Sequence, residues 1–470
     1  MTADLDLCYL PATEIAARIR VGELTATRVI ENSLARIGAI NPKLNCFCFV
    51  YPEEAMALAS ELDREAKAGK FRGPLHGVPF AIKDLTPTKG KRTTLGSYAY
   101  EHWVPDYDAP IVEALKAAGG IMVGKTTTPE FAYSGFTESP LWGITRNPWN
   151  PDRTAGGSSG GAGVAVASGC VPLAEGSDMG GSVRIPAAFC GLVGVKPSFG
   201  RVPQTPGFPG WEHVGAIGPL ARTVRDAAAV LDVIAGGDDR DRHSLPREAG
   251  TYLEACDESI RGLHVAWTPD LGYAAVDERV LELCGDAAAE FEELGCHVEV
   301  VNPGWESPEE AFATIVSAQF YAAWGDALPA READLDASLV RFIRRGGAVS
   351  ARDYLTAMAK VNAYWQEVHV FLARFDLLLT PTTAVPPFPL GAGVPREIAG
   401  QEVSRLGWMP FTYPFNLTGQ PAASVPAGWT EDGLPVGLQI VGRRHADRTV
   451  LAAAAAFEAA RPWRDRRPVQ

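Results

Sequence analysis

Apolar residues in the first 70 positions recur at helical spacing. Val29, Ile30, Leu34 and Ile37 fall on one face, and Glu53–Lys67 is rich in Ala, Glu and Leu before a stop signal at Gly69. From Gly77 the texture changes. Short apolar runs (Val78–Ile82, Ile121–Val123, Val171–Ala174) alternate with helix-like segments such as Ile111–Ala118 and Gly160–Ser168. That alternation predicts an α/β layered fold with a large, mostly buried central sheet covered by helices. A turn-rich stretch, Gly200–Gly210, precedes a helix over Thr223–Ala235 and a polar excursion over Gly237–Gly250. Leu263–Trp267 (strand), Asp277–Leu294 (amphipathic helix) and His297–Val301 (strand) resume the pattern. Residues 306–375 read as mostly helical, and their charges predict an outer layer. Leu377–Leu379 reads as a strand, Phe411–Val441 as short apolar runs among Pro and Gly, and Arg448–Ala460 as a closing helix. Strand-like segments on both sides of the helical middle predict one interleaved domain over 1–470. Its parts are a helical 1–70, a core over 71–236, a variable and mostly helical 237–375, and a return to the core over 376–470.

Charge narrows the partners. Lys and Arg number 43 against 56 Asp and Glu, a net −13, which argues against a nucleic-acid footprint or an anionic membrane surface. No apolar run approaches the roughly 20 residues of a membrane span, and the first six residues carry acids where a secretory signal carries bases. The eight cysteines show no CxxC spacing and read as free thiols of a cytoplasmic protein. The eight histidines are scattered, so neither a metal site nor a cofactor is expected. Gly and Pro together make about 18% of the chain, above the usual value of about 12%, which points to many shaped loops.

Three segments carry candidate chemistry. The first is Arg153-Thr154-Ala155-Gly156-Gly157-Ser158-Ser159-Gly160-Gly161. Such text also suits a flexible linker; a phosphate loop is excluded because no Lys follows the glycines. It runs straight into a small-residue helix, which linkers do not normally do. The second, Glu175-Gly176-Ser177-Asp178-Met179-Gly180-Gly181-Ser182-Val183-Arg184-Ile185-Pro186, follows a buried-looking strand. Two glycines before a serine allow successive N–H groups to face one concavity suited to an oxyanion, although a plain tight turn fits too. The third is Leu75-His76-Gly77-Val78-Pro79-Phe80-Ala81-Ile82-Lys83-Asp84. Alternation along a strand puts Lys83 on one face and Asp84 on the other, so Asp84 need not neutralise it. A snorkelling surface lysine is the alternative.

A serine attacking a carbonyl needs a base, and no histidine offers itself. A lysine serves if it is neutral. At an ordinary pKa of about 10.4, only about one amine in 2,500 is neutral at pH 7. Burial that lowers the pKa by about three units, at a cost of roughly 4 kcal/mol, raises that fraction several hundredfold.

Together these segments resemble the amidase signature family, the Ser–Ser–Lys hydrolases. The matching text is GGSSGG at Gly156–Gly161, SDxGGSxRxP at Ser177–Pro186 and GxPxxxKD at Gly77–Asp84. Further similar text lies at Gly194–Arg201, Gly218–Arg222, Asn416–Gly419 and Gly433–Gln439, and the two serines stand 24 positions apart. The resemblance spans nearly the whole chain and is weakest over about 240–370. It implies the amidase signature fold, with Ser182 as nucleophile, Ser158 as a bridging serine after a cis peptide, and Lys83 as base. The N–H groups of Met179, Gly180, Gly181 and Ser182 would form the oxyanion hole. Ser177, Asp178 and Arg184 match polar family positions and would hold the loop; Ser177 stands where many relatives carry threonine.

The implied activity is hydrolysis of linear amides through an acyl-enzyme, with esters or carbamates as side substrates and no cofactor. Phe131, Tyr133, Ser134, Phe208 and Trp211 are the expected pocket residues. Their aromatic character hints at small apolar or aromatic amides, while ordinary core packing accounts for the same residues. Two other readings stay open. One is the glutaminase component of a tRNA-dependent amidotransferase, although such relatives usually carry Gln where this chain has Ile185. The other is a non-catalytic protein on the same fold. Assembly is not legible from the residues; the resemblance adds a homodimer as an option.

Overall fold

The computed structural model describes residues 3–208 and 213–468. Eleven strands form one mixed sheet: β1 (Phe47–Val50), β2 (Pro79–Lys83), β3 (Ile121–Thr126), β4 (Leu173–Asp178), β5 (Val193–Lys196), β6 (Ala216–Ala221), β7 (His264–Trp267), β8 (His297–Val300), β9 (Leu377–Pro381), β10 (Ala422–Trp429) and β11 (Pro435–Gly442). Their order across the sheet is β1-β3-β2-β4-β6-β5-β10-β11-β9-β7-β8. Two parallel groups, β3-β2-β4 and β9-β7-β8, flank an antiparallel middle. The central strands are buried throughout, which is why they read as continuous apolar runs without alternation. One apolar cluster runs from Leu7 to Trp463 and takes in residues from every part of the chain. Helices pack around the sheet. None among the described residues is long and apolar enough to cross a membrane.

The glycine-rich segment is no linker. Gly160–Ala167 (GGAGVAVA) is a wholly buried helix, possible because it carries nothing larger than valine. At Gly161 a Cβ would stand 2.5 Å from the backbone nitrogen of Thr127, so the helix lies against the end of β3 at a distance only glycine allows.

Two features differ from the sequence expectation for a physical reason. β4 does not stop at Ala174 but continues through Glu175, Gly176, Ser177 and Asp178. Glu175 can sit inside the sheet because its carboxylate accepts from the Lys83 backbone N–H (2.8 Å) and from Thr86 Oγ1 (2.9 Å). The helices Glu309–Trp324 and Ala337–Gly347 are also more than an outer layer, because both face the site.

Candidate active site

β2 and β4 are parallel neighbours, with Phe80 beside Leu173 and Ala81 beside Ala174, so their C-terminal ends lie side by side. Lys83 closes one strand; Ser177 and Asp178 close the other. The adjacent strand ends of an α/β sheet are where such folds build their sites. Lys83 Nζ is 2.6 Å from Ser158 Oγ and 2.9 Å from Ser177 Oγ. All three side chains are buried, and Lys83 is 0% exposed. Burial pushes the Lys83 amine down to about 7, against the opposing pull of Glu175 and Asp178. Asp84 points elsewhere, as strand alternation requires: its carboxylate takes the hydroxyl of Thr94 and lies 3.8 Å from the buried Lys125 ammonium.

The peptide bond between Gly157 and Ser158 is cis. Ser182 lies opposite, tied to this segment by the Ser159 N–H, which donates to the Ser182 carbonyl (3.2 Å). The Ser182 hydroxyl has no hydrogen bond among the described residues and lines a cavity of about 270 Å³. No direct bond joins the Ser158 and Ser182 hydroxyls in this state.

The turn before Ser182 is clamped from beneath. Asp178 accepts from the N–H of Gly181 (2.7 Å) and of Val183 (3.1 Å), and pairs with Arg184 through Nε (3.0 Å) and Nη2 (2.8 Å). Arg184 spends its remaining donors on the Thr412 carbonyl, Gln439 Oε1 and Asn416 Oδ1. Burial alone would raise the Asp178 carboxyl. Arg184 and Asn416 outweigh it and hold the group well below the usual carboxylate range. Gly181 has φ +125°, and a Cβ there would meet Thr412 Oγ1 at 2.5 Å. Of the four amides expected to face an oxyanion, that of Gly181 is thus committed to Asp178. Those of Met179, Gly180 and Ser182 have no partner among the described residues.

The expected pocket residues divide. Tyr133 and Ser134 line the Ser182 cavity. Phe131 is 1% exposed and lines neither that cavity nor a second one of about 280 Å³ on the Ser177 side. It stacks instead on Trp324, with ring centroids 4.6 Å apart. Phe208 lines the second cavity. Trp211 lies outside the described residues. Glu130 fastens the 130–134 wall: it accepts from Ser97 Oγ (2.5 Å) and from the Asp336 N–H (2.7 Å), and burial pushes its carboxyl up to about 7.

The resemblance implies walls from about 300–410 without naming residues, and several lining residues were not identified in advance. Phe312, Arg341, Arg345, Arg405 and Trp408 line the Ser182 cavity, while Tyr100, Trp103 and Trp324 line the second. Thr412 and Asn416, which brace the nucleophile turn, were also missed; their i, i+4 spacing beside Asn416-Leu417-Thr418-Gly419 was the available signal. No group of three or more His, Cys, Asp or Glu among the described residues could hold a metal ion.

The chain is similar to known proteins over nearly its whole length. The profile of the Amidase family matches residues 28–451. An acylamidase of Rhodococcus erythropolis is 42% identical, over 98% of either chain. A glutamyl-tRNA(Gln) amidotransferase chain of Carboxydothermus hydrogenoformans is 36% identical, over 99% of this chain and 100% of that one. The crystal structure of a bacterial aryl acylamidase superposes with a TM-score of 0.92 at 33% identity, over 98% of this chain and 99% of the other.

Proposed function

The chain belongs to the amidase signature family and is a hydrolase of carbon–nitrogen amide bonds; on that premise we propose that Ser182, Ser158 and Lys83 carry the reaction. Lys83, neutral, takes the proton of the Ser158 hydroxyl while Ser158 takes that of Ser182. Ser182 Oγ then forms a bond to the amide carbon, and the carbonyl electron pair moves to oxygen, where the N–H groups of Met179, Gly180 and Ser182 receive it. Collapse breaks the C–N bond. Ser158 passes a proton to the departing nitrogen and regains one from Lys83, and water releases the acyl group by the same relay. The observation that carries this reading is the Lys83 amine, wholly buried and lowered to about 7, at 2.6 Å from Ser158 Oγ.

The substrates proposed are small amides with an apolar or aromatic part, in keeping with the walls of both cavities and with the acylamidase and aryl acylamidase relatives. Esters and carbamates follow as side substrates, because the acyl-enzyme does not depend on nitrogen as leaving atom. The eight free cysteines suit the cytoplasm as compartment.

The test is hydrolysis of an anilide panel, together with labelling by a fluorophosphonate and peptide mapping of the adduct. The expected adduct is on Ser182, and Ser182→Ala should lose roughly four to six orders of magnitude in kcat. Normal rates in that variant would remove the nucleophile assignment. Hydrolysis confined to glutamine, with co-purifying chains, would favour a component of an amidotransferase.

A further inference from the structure

The two cavities beside the reacting groups differ in charge. Among the described residues no charged side chain lines the one on the Ser177 side, which is walled by Tyr100, Trp103, Tyr107, Phe208 and Trp324. The Ser182 cavity has an apolar body (Phe136, Phe312, Phe342, Trp408) and a rim that carries three guanidinium groups, Arg341, Arg345 and Arg405. Among the described residues Glu309 is the one carboxylate that lines it, and Ser404 Oγ already donates to it (2.6 Å).

Arg341 and Arg345 are one helical turn apart on Ala337–Gly347 and both are exposed. Neither side chain has a hydrogen bond or an ion pair among the described residues, whereas Arg344 of the same helix pairs with Glu332 at 2.5 Å. Arg405 lies over the Tyr133 ring, 5.8 Å from its centroid, and its Nη2 donates to Tyr133 Oη (3.5 Å), with no carboxylate paired to it among the described residues. Compensation of the helix C-terminus accounts for Arg344 and Arg345. It does not account for Arg341 or Arg405. In a chain of net charge −13, three cations without a carboxylate partner gather positive charge at the mouth of the nucleophile's own cavity.

We infer that Arg341, Arg345 and Arg405 select amides that carry a carboxylate beyond an apolar segment, with the apolar part against Phe312, Phe342 and Trp408 and the carboxylate at the arginine rim. This deepens the amidase reading and rests on Ser182 as the reacting serine. A neutral anilide therefore serves as the internal control: no turnover of any anilide defeats that reading, not this one alone.

The experiment compares matched pairs. In one pair the carboxylate is on the acyl half: glutaric acid mono-para-nitroanilide against the anilide of the same chain capped by isopropyl. In the other it is on the amine half: para-acetamidobenzoate against para-isopropylacetanilide. The expected result is a kcat/KM at least tenfold higher for the carboxylate in one pair, which also identifies the half that enters this cavity. The preference should fall as ionic strength rises and collapse toward one in Arg341→Gln/Arg345→Gln, with Arg405→Gln giving a smaller loss. Arg341→Glu/Arg345→Glu should invert it, favouring the same acyl chain capped by an ammonium group. Turnover of the neutral anilides with no carboxylate preference in either pair, or a preference indifferent to both salt and the arginine substitutions, overturns the inference.

Discussion

The floor of the site and its walls are built on opposite principles. The floor is polar and sealed: Lys83, Ser158, Ser177, Asp178 and Arg184 are at most 3% exposed, and each has hydrogen-bond partners. It comes from two parallel strand ends, the turn into one close-packed glycine-rich helix and the start of the helix Arg184–Cys190, and its positions are overdetermined. The walls are apolar with a charged rim, drawn from Glu309–Trp324, Ala337–Gly347 and the 394–409 segment, and their arginines reach solvent. The floor has one working arrangement, since moving any member strands a buried polar partner. The walls can change residue by residue without disturbing the proton path. Reaction type and substrate choice are therefore separable in this fold, and the separation can be attacked from either side.

The largest effect should come from the floor. Lys83→Met removes the base and is expected to lower kcat by about 10²–10⁴-fold. In the unaltered protein kcat/KM should rise with pH up to about 7 and level off above it, because the neutral amine is the active form. Stability provides an independent reading. The folded amine titrates at about 7 and the unfolded one near 10.5, so between those values the unfolded chain binds more protons and wild-type stability rises with pH. Holding the amine near neutrality costs about 4 kcal/mol at pH 7. The variant should recover part of that, lose the pH slope, and unfold later in urea at pH 7 despite being inactive. A variant less stable than wild type at pH 7, with the slope intact, would mean that Lys83 is held as a cation.

A second break is in the brace beneath the nucleophile turn. Arg184→Met leaves the Asp178 carboxylate buried without its cation, which typically costs about 3–5 kcal/mol. The carboxyl is depressed in the folded chain, so its contribution is present at neutral pH and is lost as the pH falls below about 4, the range where the unfolded carboxyl protonates. Urea titrations should show the gap between wild type and variant narrowing in that range. An undiminished gap would assign the loss to Thr412, Gln439 and Asn416 instead of the ion pair.

How far each region was legible follows from the same contrast. The floor residues lie within about one hundred positions and carry unusual text: paired serines among glycines, and a lysine ending an apolar strand. Chemistry constrains such residues by type and by spacing, so they can be recognised in one dimension. The extension of β4 through Glu175–Asp178 was not legible, because the groups that make it tolerable, the Lys83 N–H and Thr86, are some ninety positions away. The walls were hardest. An arginine on a helix looks alike whether it faces solvent or a cavity mouth, and Arg341 differs from Arg344 only in what the fold places opposite. Aromatic residues are ambiguous for the same reason: Phe131 and Tyr133 are neighbours in sequence, yet one is a stacking partner in the core and the other a cavity wall.

The Phe131–Trp324 stack offers the mildest and most selective test of the division. Trp324 has one ring face on Phe131, the planes within 3° of parallel, and also lines the second cavity, with Phe208 at 5.4 Å and Phe320 at 4.9 Å between ring centroids. Trp324→Leu keeps an apolar wall but removes the aromatic face. Aromatic pairs are worth about 0.5–1.5 kcal/mol beyond their area, so a substrate ring seated in that cavity should lose about two- to tenfold in kcat/KM while its alkyl counterpart loses less. No hydrogen bond joins the indole to the floor residues among the described residues, and the pH midpoint near 7 should therefore stay where it is. A shifted midpoint would show that wall and floor are coupled, and would bring Trp324 into the desolvation of Lys83. An equal loss for ring and alkyl substrates would mean that the second cavity holds no part of the substrate and that the indole serves only to pack Phe131.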